Sequence, residues 1–196
     1  MSYLLGLTGS IGMGKSTTAQ MFRDEGVPVW DADAAVHALY EKGGAAVDPI
    51  AKVFPEVVTE GAVSRPALRE LIAAKPDALR QIEQIVHPLV ADDREAFFAK
   101  YPDSLLVLDI PLLFETKADL WLNAVAVVTA PYEVQRARVL ERPDMTDAQF
   151  DLILSKQMPD AEKRARADYI IATVSMDAAR LAVRDIVDQL KGQSLA

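Results

Sequence analysis

The sequence predicts an α/β protein with a parallel sheet covered by helices on both faces. Three features carry that expectation. Short apolar runs of strand length recur along the chain, helical periodicity fills the intervals, and a glycine-rich stretch joins the first run to the first helix. The first run is Tyr3 to Thr8, followed by Gly9-Ser10-Ile11-Gly12-Met13-Gly14. Lys15 to Glu25 then carries Ala19 and Phe22 among good helix formers, and Gly26 marks its stop. Val27 to Trp30 reads as a second strand, placed at a sheet edge because Pro28 cannot donate to a ladder. Leu105 to Leu108 and Ala124 to Val128 are continuous apolar runs suited to strands buried on both faces, and Tyr169 to Ile171 is a fifth strand. Helical spacing covers Pro66 to Ala74, Asp77 to Ala99, Pro131 to Arg142 and Asp177 to Leu190.

The strand–helix rhythm breaks twice. Residues from about 34 to 101 hold several helical patterns and no strong strand, so they read as a helical insertion beside the sheet. Residues from about 141 to 166 mix Arg142, Lys156, Lys163, Arg164 and Arg166 with acids and read as a mobile helical flap. The core is expected at about 1–33, 102–140 and 167–196, all within one domain spanning 1–196.

Composition removes several classes of function. The 196 residues include 21 Lys and Arg against 29 Asp and Glu, a formal net charge of −8. That balance argues against a general nucleic-acid binder, which needs many cationic phosphate contacts. No apolar run approaches the roughly 20 residues needed to cross a bilayer, and Met1-Ser2-Tyr3 lacks a basic leader pattern. With no cysteine there is no disulfide framework, thiol nucleophile or thiolate metal site. A cytoplasmic protein without a membrane partner is expected, and a monomer, with an oligomer left open.

Gly9 to Ser16 fits G-x-x-x-x-G-K-[ST]. Its glycines let the main chain turn tightly and bring N–H groups against phosphate oxygens, and the following helix aims its unpaired amides at the same anion. Lys15 is the residue to reach the β- and γ-phosphates, and the Ser16 hydroxyl is the candidate Mg²⁺ ligand. Screening confines exposed charges to about 8 Å at physiological salt, so the negative net charge opposes this local site only weakly.

Such loops serve GTPases, motors and small-molecule kinases. The only asparagine, Asn123, is followed by Ala124, so no N-K-x-D guanine-reading element exists. A kinase needs a carboxylate facing the acceptor hydroxyl, an acid that orients Mg²⁺, and arginines over the phosphates. Asp31 and Asp33 follow the second strand, and strand alternation would send both to one side. Asp33 is the candidate to orient or deprotonate the hydroxyl, with Asp31 supporting acceptor or metal; the alternative for Asp33, capping a helix that starts near Ala34, can coexist with that role. Asp109, ending the third strand, is the candidate for Mg²⁺ or its waters, with a turn before Pro111 as the alternative. Arg138 and Arg142 stand four apart, on one face of a continuing helix, and could approach nucleotide phosphates or adenine; a solvated basic face is equally compatible. From local pattern alone His87, before Pro88, reads as a packing or hydrogen-bonding residue, and His37 as helix surface or packing.

Together these residues resemble the dephospho-CoA kinase family. The shared stretches are LTGSIGMGKST from Leu7 to Thr17, DAD from Asp31 to Asp33, EGAVSRPALR from Glu60 to Arg69, and IEQIVHP from Ile82 to Pro88. They continue with DIPLLFE from Asp109 to Glu115, QRARVLER from Gln135 to Arg142, Gln157-Met158-Pro159 and Ala167-Asp168-Tyr169. The resemblance implies a P-loop NTPase-type three-layer fold with a five-stranded parallel sheet, a helical CoA-binding insertion at 34–101 and a lid at 141–166. It implies ATP-dependent phosphorylation of the dephospho-CoA 3′-hydroxyl to give CoA and ADP. On that likeness Gly12, Met13, Gly14, Lys15, Ser16 and Thr17 bind the ATP phosphates and Mg²⁺, Asp33 is the base, His87 lies in the acceptor region and Arg142 is the lid arginine.

Two positions depart from the family pattern. Ile153 stands where members often have arginine, with Lys156 the candidate to compensate, and Thr173 stands where many carry asparagine. Neither is assigned a role. The rivals are a kinase for another small hydroxyl acceptor and a nucleotide switch that transfers no phosphate.

Overall fold

The chain forms β1 (Tyr3–Thr8), α1 (Lys15–Asp24), β2 (Val29–Asp31), α2 (Ala32–Tyr40), α3 (Val47–Val53), β3 (Val58–Thr59), β4 (Ala62–Val63), α4 (Arg65–Ala74) and α5 (Asp77–Lys100). It continues with β5 (Leu105–Asp109), β6 (Ala124–Thr129), α6 (Tyr132–Leu140), α7 (Asp147–Ser155), α8 (Asp160–Ala165), β7 (Tyr169–Ala172) and α9 (Met176–Ser194). These come from a computed structural model that describes residues 2–194. The five-stranded sheet has the order β2-β5-β1-β6-β7. β1 runs parallel to β5, pairing Tyr3 with Leu105, and to β6, pairing Leu5 with Ala124; β6 runs parallel to β7. β2 lies at the edge, as Pro28 requires; the proline's carbonyl still accepts from Val107 N–H at 3.0 Å.

Every residue of β5 and β6 is buried, which explains why these strands read as unbroken apolar runs. Alternation along β6 divides two cores. Ala124, Ala126 and Val128 join Leu5 and Leu7 against Phe22 of α1 and Val183, Val187 and Leu190 of α9. Val125 and Val127 face the other way, onto Leu113, Phe114 and Ala118 from the segment after β5. Two layers on opposite sides therefore close the sheet.

Chain contacts divide the protein into two units, one ending at Trp30 and resuming at Tyr101, the other Asp31–Lys100. The second unit is helical apart from the β3–β4 hairpin, and has its own core of Ile50, Val57, Leu68, Ile82 and Val86. Ser64 starts α4 by accepting from Ala67 N–H at 3.3 Å, with proline in the first turn. α5 runs through Pro88 unbroken. Gln84, whose carbonyl loses its partner there, is exposed to water. Among the described residues no helix is long and apolar enough to cross a membrane.

Candidate active site

The glycine loop leaves the carboxyl end of β1, the sheet's middle strand, and Thr8 fastens that end by donating to the Pro111 carbonyl at 3.0 Å. Gly9 passes so close to β6 that an added Cβ would lie 2.8 Å from the Val128 carbonyl oxygen. Gly12 has φ +77°, and a Cβ there would also meet the Gln135 carbonyl at 3.0 Å, so both conformation and space exclude a side chain. Gly14 is the N-cap of α1 and supplies no side-chain acceptor; the first turn contains no acid. The helix's first intrahelical bond runs from Thr18 N–H to Gly14 C=O, which leaves the amides of Lys15, Ser16 and Thr17 ahead of the ladder. An uncompensated helix N-terminus with bare main chain before it is an anion site.

Lys15 rests its ammonium on the carboxylate of Asp109. Lys15 is 17% exposed and Asp109 only 2%, so the lysine lies at the mouth of the loop with the acid beneath it. Ser16 and Thr17 are exposed in the first turn of α1. The sequence thus anticipated residues that the fold brings to one place, Gly12 to Thr17 with Asp109.

The loop is also held from behind, by residues to which the sequence assigned no role. Gln135 of α6 donates its side-chain N–H to the Ile11 carbonyl at 2.7 Å, while the Gln157 side-chain oxygen accepts Ile11 N–H at 3.1 Å. Thr173, just past β7, donates its hydroxyl to the Met13 carbonyl at 2.7 Å. Arg138 donates to that hydroxyl at 3.0 Å and to the Thr173 carbonyl at 2.6 Å. Arg138 therefore stands next to the loop's far side, with at least part of its guanidinium bound to β7's end. All of Gln135, Gln157 and Thr173 lie in recognisable sequence contexts, but nothing local ties them to a loop more than a hundred positions away; a polar residue on the inner face of α6 was the available signal for Gln135, which is buried.

Two sequence expectations are corrected. Asp31 and Asp33 do not alternate along a strand: α2 begins at Ala32, Asp31 is its N-cap and accepts Ala34 N–H at 2.9 Å, and Asp33 is an exposed residue of the first helical turn. The physical reason is capping, since a half-buried aspartate satisfying a helix amide ends the strand. Arg138 and Arg142 do not share a helix face, because α6 ends at Leu140 and Arg142 lies exposed in the following turn. Its N–H bonds back to Val139 C=O at 3.1 Å. His87 is exposed on α5, and His37 is exposed beside Glu41 at 3.3 Å; neither packs into the core. Asp31, Asp33 and His87 belong to the second unit, whereas the loop, Asp109, Arg138 and Arg142 belong to the first.

A buried ion pair completes the first unit's polar structure. Lys163 of α8 is 0% exposed, with its ammonium 3.1 Å from Glu115 Oε1. The same oxygen accepts Met158 N–H at 2.7 Å. Burial pushes the Glu115 carboxyl up, but the Met158 amide, its own amide and Lys163 outweigh that and hold it below its ordinary value.

The dephospho-CoA kinase family model matches residues 3–177. A dephospho-CoA kinase of Ruegeria pomeroyi is 56% identical over 195 residues, covering 100% of this chain and 99% of that protein. One from Cereibacter sphaeroides is 56% identical over 189 residues, covering 96% of each. The crystal structure of TT1252 from Thermus thermophilus superposes with a TM-score of 0.85 at 32% identity, covering 96% of this chain and 98% of that one. The fold is also that of a dephospho-CoA kinase from Campylobacter jejuni, at a TM-score of 0.67, 22% identity, and coverage of 96% and 97%. A glycine loop on a five-stranded parallel sheet, matched from end to end by these relatives, makes this chain a member of the dephospho-CoA kinase family.

Proposed function

We propose that the protein transfers the γ-phosphoryl group of ATP to the 3′-hydroxyl of dephospho-CoA, giving CoA and ADP. The carrying observation is the loop from Gly9 to Ser16, with Lys15 seated over Asp109, in a chain 56% identical along its whole length to a dephospho-CoA kinase. Phosphoryl transfer asks mainly for positioning and charge stabilisation, and no covalent enzyme intermediate is needed. The amides of Gly12 and of Gly14 to Thr17 hold the phosphates, since Met13 N–H already donates to the Ser10 carbonyl at 3.1 Å, and Lys15 turns from Asp109 toward the β- and γ-oxygens. Arg138 and Arg142 serve the nucleotide, Arg142 from the lid at 141–166. The helical unit takes the acceptor, with Asp31 and His87 in the acceptor region and Asp33 accepting the 3′-hydroxyl proton.

Among the described residues no group of three His, Asp or Glu side chains could hold a metal ion alone. The exposed Ser16 hydroxyl and the Asp109 carboxylate suit Mg²⁺, which takes few protein ligands and completes its shell from phosphate and water. Bound there, Mg²⁺ would neutralise charge on the phosphates. The absence of cysteine and the net charge of −8 support a cytoplasmic enzyme of small molecules rather than a nucleic-acid binder.

Mass spectrometry of products from ATP, Mg²⁺ and dephospho-CoA tests the assignment. CoA should form stoichiometrically with ADP, and ADP release across a panel of hydroxyl acceptors should be by far the largest with dephospho-CoA. Equal ADP release with and without acceptor would overturn it in favour of a nucleotide switch.

A further inference from the structure

The peptide groups flanking Ile11 are gripped on both sides, its carbonyl by Gln135 and its N–H by Gln157. Met13 N–H is likewise occupied, donating to Ser10 C=O at 3.1 Å. The amides of Ile11 and Met13 are thereby turned to protein acceptors, and the alternate amides of Gly12 and Gly14 are left for a ligand. A glutamine can impose that alternation only if its own position is fixed. Gln157 lies in the turn between α7 and α8, and the neighbouring Met158 N–H donates to Glu115 Oε1 at 2.7 Å. Lys163, in the first turn of α8 and wholly enclosed, holds that same oxygen at 3.1 Å.

We infer that Lys163 and Gln157 are positioning residues for the phosphate loop: buried Lys163 fixes Glu115, Glu115 fixes the Met158 amide, and the turn so fixed holds Gln157 against Ile11. An ion pair at the surface would contribute too little to matter here, since side-chain entropy and solvent offset its attraction. Enclosure of Lys163 changes the balance, because the ammonium has no solvent to turn to if Glu115 is removed, while Glu115, 20% exposed, would lose the cation that fixes its oxygen in place. The chain of contacts ends on the loop, so its loss changes how anions are met there in addition to any cost in stability. Each link is a hydrogen bond or ion pair within the first unit.

The inference rests on ATP occupying the loop, and its test separates the two. Calorimetry measures ATP affinity without any acceptor, and amide exchange by NMR reports Ile11 without any ligand. Gln157→Met and Lys163→Met should each weaken ATP binding about tenfold, the size of one lost hydrogen bond with its stranded partner. Both should accelerate Ile11 exchange while exchange in β5 and β6 stays slow. Because they act through one path, Gln157→Met/Lys163→Met should bind ATP no more weakly than the weaker single variant. Native ATP affinity and Ile11 protection in either folded single variant, or multiplied losses in the double, overturn the inference. If Lys163→Met does not fold, Glu115→Asp takes its place: it keeps the charge but withdraws the carboxylate from Met158, and unchanged Ile11 exchange there is equally fatal. No ATP binding by the wild-type protein would instead sink the proposed function itself.

Discussion

Lys15 and Asp109 are paired at the end of two neighbouring strands, the lysine opening α1 and the aspartate closing β5. The acid is almost wholly enclosed and the base is not, so the two partners are unequal when one is removed. Lys15→Met should lower kcat by about 10³-fold through lost charge stabilisation. It should also cost about 3 kcal/mol of stability, because a buried carboxylate loses its cation. Lys15→Met/Asp109→Asn should recover most of that stability while remaining inactive. Urea titration of the three proteins measures the change in stability, and ADP release the change in activity.

Gly12 cannot be replaced even by alanine without penalty. Its φ of +77° is strained for any residue with a Cβ, and the Gln135 carbonyl stands 3.0 Å from where that carbon would be. Gly12→Ala should lose about 1–3 kcal/mol on denaturation. It should also abolish measurable ATP heat in calorimetry, since the shift falls on the main chain that the proposed function sets against phosphate.

Asp33→Asn separates the proposed base from a helix-starting role. Capping of α2 belongs to Asp31, so exposed Asp33 can change without loss of a cap bond. The folded variant should keep its thermal midpoint and ATP affinity while kcat falls about 10²–10⁴-fold. Near wild-type turnover would show that another group takes the proton.

Glu115→Gln should alter the acid limb of stability. A carboxyl held below its ordinary value in the folded state stabilises that state at pH above the unfolded value, about 4.3 for glutamate, and loses the contribution as pH falls through the folded value. The variant should therefore be less stable than wild type at pH 7, and the gap should shrink as pH falls below about 4. Denaturant midpoints across that range measure it; a gap that stays constant with pH would assign the loss to packing.

The fold was largely legible because its signals are local. Apolar runs such as Leu105 to Leu108 and Ala124 to Val128 have few alternatives to a buried strand, and a glycine at position 12 states its own backbone requirement. The active-site loop was legible for the same reason. Errors arose at element ends. The acidic pair after Trp30 looked like continued strand until Asp31 bound Ala34 N–H, and the helix after Pro131 stopped before reaching Arg142. Capping depends on single hydrogen bonds, which hydrophobic periodicity does not register. The supports behind the loop were illegible for another reason: Gln135, Gln157 and Thr173 act on Ile11 and Met13 from far along the chain. Only the parallel crossovers bring them there.

Those crossovers also set the order in which the enzyme can come into being. Of the five strands in the sheet, the first to be synthesised is the one that ends in its middle, between partners made roughly a hundred residues later. Until Leu105–Asp109 and Ala124–Thr129 arrive, Tyr3–Thr8 has no neighbour on either side and the glycine bend has nothing to shape it. A nascent chain halted before Thr129 should thus be blind to nucleotide despite carrying the whole motif. Once complete, the molecule should be protected by ATP against unfolding as a unit, since the ligand recognises only the finished sheet.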